Sequence, residues 1–216
     1  MTERGRLITL EGGEGAGKST QIQHLAKALA AAGIDVVTTR EPGGTPGAEA
    51  IRSLVTEGTA DRWSPLTETL LFLAARQDHV ERLIEPALAD GRWVLCDRFI
   101  DSTRVYQGLA GTLGLGVIDQ LHHVIFDHIT PDLTLLLDLP VDLGLARRNA
   151  AGDGNRFEQK VTSFHQAVRE GFLELAREAP DRFAVIDAAP APDSVAATII
   201  DVIRQRLALP SVSRAS

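Results

Sequence analysis

The chain has 216 residues, 44% of them apolar and 24% charged, with a net charge of −7. This length suits one domain with its own core, and the acidic balance argues against a broad nucleic-acid or anionic-membrane surface, which would need a basic face. A single cysteine, Cys96, excludes an intramolecular disulfide; together with a polar start (Met1-Thr2-Glu3-Arg4) and no long apolar span, it reads as a soluble cytoplasmic protein.

From Leu7 an apolar strand runs into the glycine-rich turn Gly12-Gly13-Glu14-Gly15-Ala16-Gly17, and Lys18-Ser19-Thr20 open an amphipathic helix predicted to about Ala32. Gly12, four residues, then Gly17, Lys18 and Ser19 match the phosphate-binding loop pattern in its required strand-to-helix context. Glycines let backbone amides turn inward onto phosphate oxygens, and the helix points the positive end of its dipole at the same anion. Lys18 adds a point charge and Ser19 a hydroxyl for magnesium. Three lysines stand against nineteen arginines in this chain, yet lysine occupies the position where a forked guanidinium would not fit the cradle. The loop implies a nucleoside triphosphate without naming an acceptor.

A short strand, Ile34 to Thr39, leads into Arg40-Glu41-Pro42-Gly43-Gly44-Thr45-Pro46-Gly47, a proline–glycine loop too special for a casual linker. A helix over about Ala48 to Glu57 and a turn over Thr59 to Ser64 follow. Pro65 to Asp90 reads as one long helix. At about 100° per residue, Leu66, Leu70, Leu73, Ala74, Ile84 and Leu88 make a core stripe, and Phe72, Arg76, His79 and Leu83 fall opposite. Periodicity alone reads the opposite face as packing against a neighbouring helix or subunit, though an aromatic ring one turn from an arginine stands out there.

Arg92 to Cys96 is a strand that ends in Asp97-Arg98. Helices are predicted over Ser102 to Leu109 and Val117 to His128, a strand over Leu133 to Asp138, and a helix over Val141 to Asn149. A glycine-containing loop, Ala150 to Asn155, precedes a long amphipathic helix over about Phe157 to Glu178. A last strand, Phe183 to Asp187, and a last helix, Pro192 to Leu209, leave 211–216 as a frayed tail. Alternating strands and helices imply one domain over 1–210 with a parallel sheet covered on both faces, and ligands beyond the strands' carboxyl ends.

Asp97, at a strand end, suits a magnesium site shared with Ser19, against the alternative of a strand-end cap. Arg98 reads as a phosphate fork or as a structural pair to Glu41 or an aspartate. Arg147, Arg148 and Arg156 flank a short lid over about 148–156 that could close over phosphates, or else cap a solvated helix end. The six histidines form no metal-site pattern and read as surface or packing residues, and Cys96 as a buried inert thiol. Phosphoryl transfer is mostly positioning and charge neutralisation. If the acceptor is itself a phosphate, with a second pKa of about 6, it needs no general base.

Over nearly its whole length, about Arg6 to Leu207, the sequence closely resembles the bacterial thymidylate kinases. The resemblance is carried by Glu11 to Thr20, Thr39-Arg-Glu-Pro-Gly-Gly-Thr45, Leu71-Phe-Leu-Ala-Ala-Arg76, Asp97-Arg-Phe-Ile-Asp-Ser-Thr103 with Tyr106-Gln107-Gly108, and Arg156-Phe-Glu158. It implies a P-loop NTPase α/β fold with a central parallel five-stranded sheet. The implied activity is transfer of the ATP γ-phosphoryl group to dTMP with Mg2+. The implied site has Phe72 stacking on thymine, Arg76 and Thr103 bonding to it, Tyr106 crowding the sugar, Glu14 near its 3′-hydroxyl and Arg98 on the acceptor phosphate. Glu41, Pro42, Ser102 and Gln107 complete the substrate side. Arg147 is implied to lie against adenine, bordered by Ala188 to Pro192. A homodimer on helix faces is also implied, and part of the Phe157 to Glu178 face is expected to supply the interface.

In that family, enzymes without an arginine in the phosphate loop carry the catalytic one in the lid. Here Gly15 and Ala16 leave the loop without one, and Asn149 and Ala151 leave the lid lean, so Arg148 and Arg156 are the candidates. The competing classes are a kinase of another monophosphate or of a deoxynucleoside, and a P-loop switch acting on a protein. No Asn-Lys-x-Asp guanine motif supports the last of these.

Overall fold

A computed structural model describes residues 3–59, 61–151 and 162–207. Five strands form one sheet, β1 (Leu7–Glu11), β2 (Val36–Arg40), β3 (Trp93–Asp97), β4 (Leu133–Asp138) and β5 (Phe183–Asp187), in the order β2-β3-β1-β4-β5. Every pairing is parallel, as the alternating pattern requires. The central strand β1 is buried at all its residues, so its apolar run serves both faces, whereas the edge strand β5 leaves Val185 half exposed. Alternation splits β1 between two cores. Ile8 and Leu10 pack with Leu25 of α1 (Lys18–Ala31) and Ile199 of α9 (Pro192–Arg206), while Leu7 packs on the other face with Leu73, Leu88, Phe99 and Phe126.

The register lines up the chemistry. Leu10 lies opposite Asp97, Arg40 opposite Asp97, Glu11 opposite Leu136, and Asp138 opposite Asp187. The carboxyl ends of all five strands therefore share one rim.

Between β2 and β3 lie α2 (Pro46–Thr56), α3 (Pro65–His79) and α4 (Glu85–Ala89). The side chains of Thr45 and Ser64 cap α2 and α3, and each helix begins with proline at its first turn, where no amide is needed. The single helix expected over 65–90 is interrupted by a π-helical turn at Val80–Ile84. Pro86 has no amide for a continuing α-helix and its ring crowds the carbonyl four residues back, which the wider turn relieves.

The turn also overturns the expected stripe. Before it, Thr69, Leu73 and Arg76 are buried while Leu66, Leu70 and Ala74 face outward; Val80 and Ile84 within it and Leu88 after it are buried. A π turn advances the wheel by less than 100° per residue, so one wheel drawn across it mixes two faces.

The helix predicted over Ser102 to Leu109 is similarly composite, with α5 (Ile100–Thr103) followed by a π-helical turn at Arg104–Leu109. Then come α6 (Leu115–Phe126), α7 (Val141–Ala151) and α8 (Thr162–Glu178). The apolar residues Val168, Phe172 and Leu175 of α8 are spent inside a third core against Val105, Leu136 and Phe183. Arg156, with lid residues 152–156, and the tail 211–216 lie outside the described residues. No described helix is long and apolar enough to cross a membrane.

Candidate active site

A cleft of about 830 Å³ opens at the strand rim. One end is the phosphate loop. Gly12 adopts φ 140°, and a Cβ there would sit 2.5 Å from the Leu137 carbonyl oxygen, so only glycine lets the loop start this close to β4. Gly15 adopts φ 70°, and a Cβ on it would lie 2.1 Å from the carbonyl oxygen of Gly144 on α7; a Cβ on Gly144 would lie 2.4 Å from that of Glu14. Two glycines thus seat α7 directly on the loop. Lys18 Nζ donates to the Gly12 and Gly13 carbonyls at 3.1 and 3.2 Å, held at the loop's mouth, and burial and Arg98 lower its pKa. Gly17 and Ala16 line the turn, and Ser19 and Thr20 stand exposed at the start of α1.

Ser19 Oγ donates to Asp97 Oδ2 at 2.9 Å. A hydroxyl and a carboxylate side by side, next to a phosphate loop, match the oxygen ligands magnesium prefers.

Beyond Asp97 the chain turns sharply. Arg98 takes φ 69°, outside the usual range for a side-chain-bearing residue. The fully buried Glu11 carboxylate anchors the turn, accepting from the Phe99 amide at 2.8 Å, the Ser102 amide at 3.3 Å and Ser102 Oγ at 2.7 Å. Burial and the charge of Asp101 push the Glu11 carboxyl up to about 7. The turn aims Arg98 into the cleft, where it donates to the Gly12 carbonyl at 3.2 Å, to Ser102 Oγ at 3.1 Å and to Glu14 at 3.0 Å, above the Tyr106 ring. Among the described residues its carboxylate partner is Glu14, neither Glu41 nor an aspartate.

Glu14 also accepts from the Tyr106 hydroxyl at 3.1 Å and from Arg148. Burial alone would raise its pKa; Arg98, Lys18 and Arg148 outweigh that and hold the carboxyl at about 2. Burial, against the pull of Arg98, pushes the Tyr106 hydroxyl up.

The other end of the cleft is lined by Phe72, Arg76, Glu41, Pro42, Thr103 and Gln107. The guanidinium of Arg76 is 2% exposed. Its Nε donates to Glu41 Oε2 at 2.6 Å and Nη2 to Thr103 Oγ1 at 3.1 Å, and it sits 5.3 Å from the centre of the Phe99 ring. Its Nη1 is buried without a hydrogen-bond partner among the described residues. Gln107 donates to Glu68 at 3.0 Å. The Glu41–Pro42 peptide is cis. At the mouth, Arg147 donates to the carbonyls of Ala188 and Ala189, at 2.9 Å each, which joins α7 to the segment after β5.

The thymidylate kinase family model matches residues 10–199. The chain belongs to the thymidylate kinase family. It is 57% identical over 209 residues to the thymidylate kinase of Caulobacter vibrioides, covering 97% of this chain and all of that one. It is 52% identical over 207 residues to that of Bradyrhizobium diazoefficiens, covering 94% and 91%. Among solved structures, the thymidylate kinase of Ehrlichia chaffeensis superposes with a TM-score of 0.76 at 33% identity, covering 93% of this chain and 99% of that one.

Apart from Arg156, the residues expected of a thymidylate kinase site converge here. The sequence reading missed four that build it. His79, read as surface or packing, is fully buried in a polar cluster with Glu41. Glu11 anchors the Arg98 turn, Gly144 seats α7, and Arg52 lines the cleft while donating to the Pro42 carbonyl at 2.7 Å. An acidic residue ending a buried strand, and a glycine inside a predicted helix, were the signals available.

Proposed function

We propose that this member of the thymidylate kinase family transfers the γ-phosphoryl group of ATP to the phosphate of dTMP, giving dTDP for dTTP synthesis. The observation that carries the reading is the pairing, within one cleft, of a phosphate loop with a pocket lined by Phe72, Arg76, Thr103 and Gln107.

In this reading Phe72 stacks on the thymine and Arg76 and Thr103 bond to its edge, with Gln107 and Pro42 beside them. Tyr106 and Glu14 bound the sugar. Ser102 and Arg98 hold the acceptor phosphate, and Lys18 with the loop amides holds the triphosphate. Glu14 keeps Arg98 and Arg148 side by side at the junction of the two phosphates. Arg148 is the described candidate for stabilising the transferring group, and Arg147 packs on the adenine side. The acceptor phosphate is largely ionised at neutral pH, so no general base is needed.

Ser19 and Asp97 fit magnesium and would hold it. When bound, magnesium neutralises charge on the triphosphate oxygens.

The same proposal includes a homodimer. Its support is the exposed apolar stripe Leu66, Leu70 and Ala74 on α3; the apolar residues of α8 are already buried. A cytoplasmic setting agrees with the single cysteine, a free and buried thiol.

A panel of thymidine, dTMP, dUMP, AMP and CMP, each with ATP and magnesium, tests the reading. dTMP is expected to turn over best. No turnover of dTMP ends the proposal, and phosphate release that is indifferent to dTMP favours a switch ATPase.

A further inference from the structure

We infer that His79, clasped by Thr39, is a positioning residue that sets the guanidinium of Arg76 and with it the preference for a thymine-type base. This rests on the proposed reading of Arg76 as the base contact.

Four side chains from three parts of the fold form one line, buried from His79 to Arg76 and half-buried at Thr39. Thr39 Oγ1 lies 2.7 Å from His79 Nε2, His79 Nδ1 lies 3.0 Å from Glu41 Oε1, and Glu41 Oε2 lies 2.6 Å from Arg76 Nε. The side chains of His79, Glu41 and Arg76 are 0%, 4% and 2% exposed. A carboxylate oxygen only accepts, so Nδ1 carries the hydrogen. Nε2 shares the hydrogen bond with the Thr39 hydroxyl.

The geometry gives the line a direction. Arg76 and His79 lie one turn apart on α3, so both reach the same side, and Glu41 sits between them. A carboxylate held by one oxygen alone can swing about its last torsion, which is broad and soft. His79 takes the second oxygen and stops the swing. Arg76, which lines the cleft, is therefore held in one fixed orientation there. Pre-set donors of this kind raise discrimination, since a base whose edge does not match leaves the donor buried and unpaired.

A second observation closes the clasp. Gly44, at φ 93°, lies flat on the Thr39–His79 contact. A Cβ there would sit 2.4 Å from Thr39 Oγ1 and 2.5 Å from His79 Nε2. The substrate-side loop is thus seated on the hydrogen bond itself.

The test compares His79→Leu, His79→Asn, Thr39→Val and Arg76→Gln by steady-state kinetics with dTMP, dCMP and ATP, after circular dichroism has confirmed folding. His79→Leu fills the volume without a donor, and it is expected to raise the KM for dTMP at least about 10-fold with the KM for ATP held within about twofold. The dTMP-over-dCMP ratio of kcat/KM falls with it. His79→Asn, which keeps a donor toward Glu41, recovers much of the loss. Thr39→Val, which removes only the hydroxyl, shifts the same two quantities by a few-fold and serves where His79→Leu does not fold. Folded Leu and Val variants with unchanged dTMP KM and unchanged selectivity overturn the inference. So does a loss shared equally by both substrates and not recovered by Asn, the mark of a merely structural role. If Arg76→Gln itself leaves the dTMP KM unchanged, the reading of Arg76 fails; if it raises that KM while the His79 and Thr39 variants do not, the positioning role alone fails.

Discussion

Ser19 and Asp97 stand 78 positions apart in the chain, yet their side-chain oxygens meet at 2.9 Å. The contact exists because β3 lies beside β1 in register, so the end of one strand faces the start of the helix that follows the other. Asp97→Ala removes the carboxylate from this pair, and kcat is expected to fall by on the order of 100-fold. The magnesium concentration giving half-maximal rate should rise. Rates measured across a magnesium titration check both. Because Asp97 sits at the solvent end of β3, the melting temperature should hold within about 5 °C.

Gly144 and Gly15 bring α7 down onto the phosphate loop, which in turn places Arg147 against the Ala188 and Ala189 carbonyls. Gly144→Ala inserts a methyl 2.4 Å from the Glu14 carbonyl oxygen, so α7 must lift. The KM for ATP should rise roughly 10-fold in this variant, and less in Arg147→Ala, with the KM for dTMP changing little in either. Initial rates with each substrate varied in turn separate the two.

Much of this arrangement was legible in the chain. The phosphate loop, the five strands and the Asp97-Arg98 step follow from glycine placement and apolar runs, because backbone geometry and strand burial leave a local imprint. The helix over 65–90 was legible as a helix but not in its phase, since the π turn before Pro86 rotates one half against the other. That rotation exposes Leu66 and Leu70 and buries Arg76. His79 is packed inside, one of the two readings its position allows, but its partners Glu41 and Thr39 are some 40 residues away, and no spacing rule reaches them. Glu11 looked like part of a motif, and its work on the Phe99 and Ser102 amides is visible only once β1 and β3 are side by side.

Glu14 gives stability a defined pH dependence. Its carboxyl drops from an ordinary 4.5 to about 2 because Arg98, Lys18 and Arg148 surround it, against the opposing effect of burial. A depressed carboxyl stabilises the fold above its unfolded value, and that contribution disappears as pH falls from 4.5 toward 2. At neutral pH it amounts to about 3 kcal/mol, and Glu14→Gln forfeits it. Urea unfolding of both proteins between pH 3 and pH 7 should therefore show a stability gap that is widest at neutral pH and narrows below about pH 4.5.

Leu66 and Leu70 on α3 are each 46% exposed and one turn apart, with Ala74 one turn further, while the same helix buries Leu73, Arg76 and His79. A helix whose inner face carries the site and whose outer face is apolar joins the site to whatever covers that face. A second copy of the chain would remove this stripe from water, at roughly 25 cal/mol for each Å² of apolar surface. Leu70→Glu puts a charge in the middle of it without touching the core. The wild-type chain is expected to sediment at twice its chain mass and Leu70→Glu at the chain mass, with circular dichroism unchanged. Because α3 also carries Phe72 and Arg76, the monomeric variant should show a raised KM for dTMP. A wild-type protein that sediments as a monomer at micromolar concentration would remove the homodimer from the proposal.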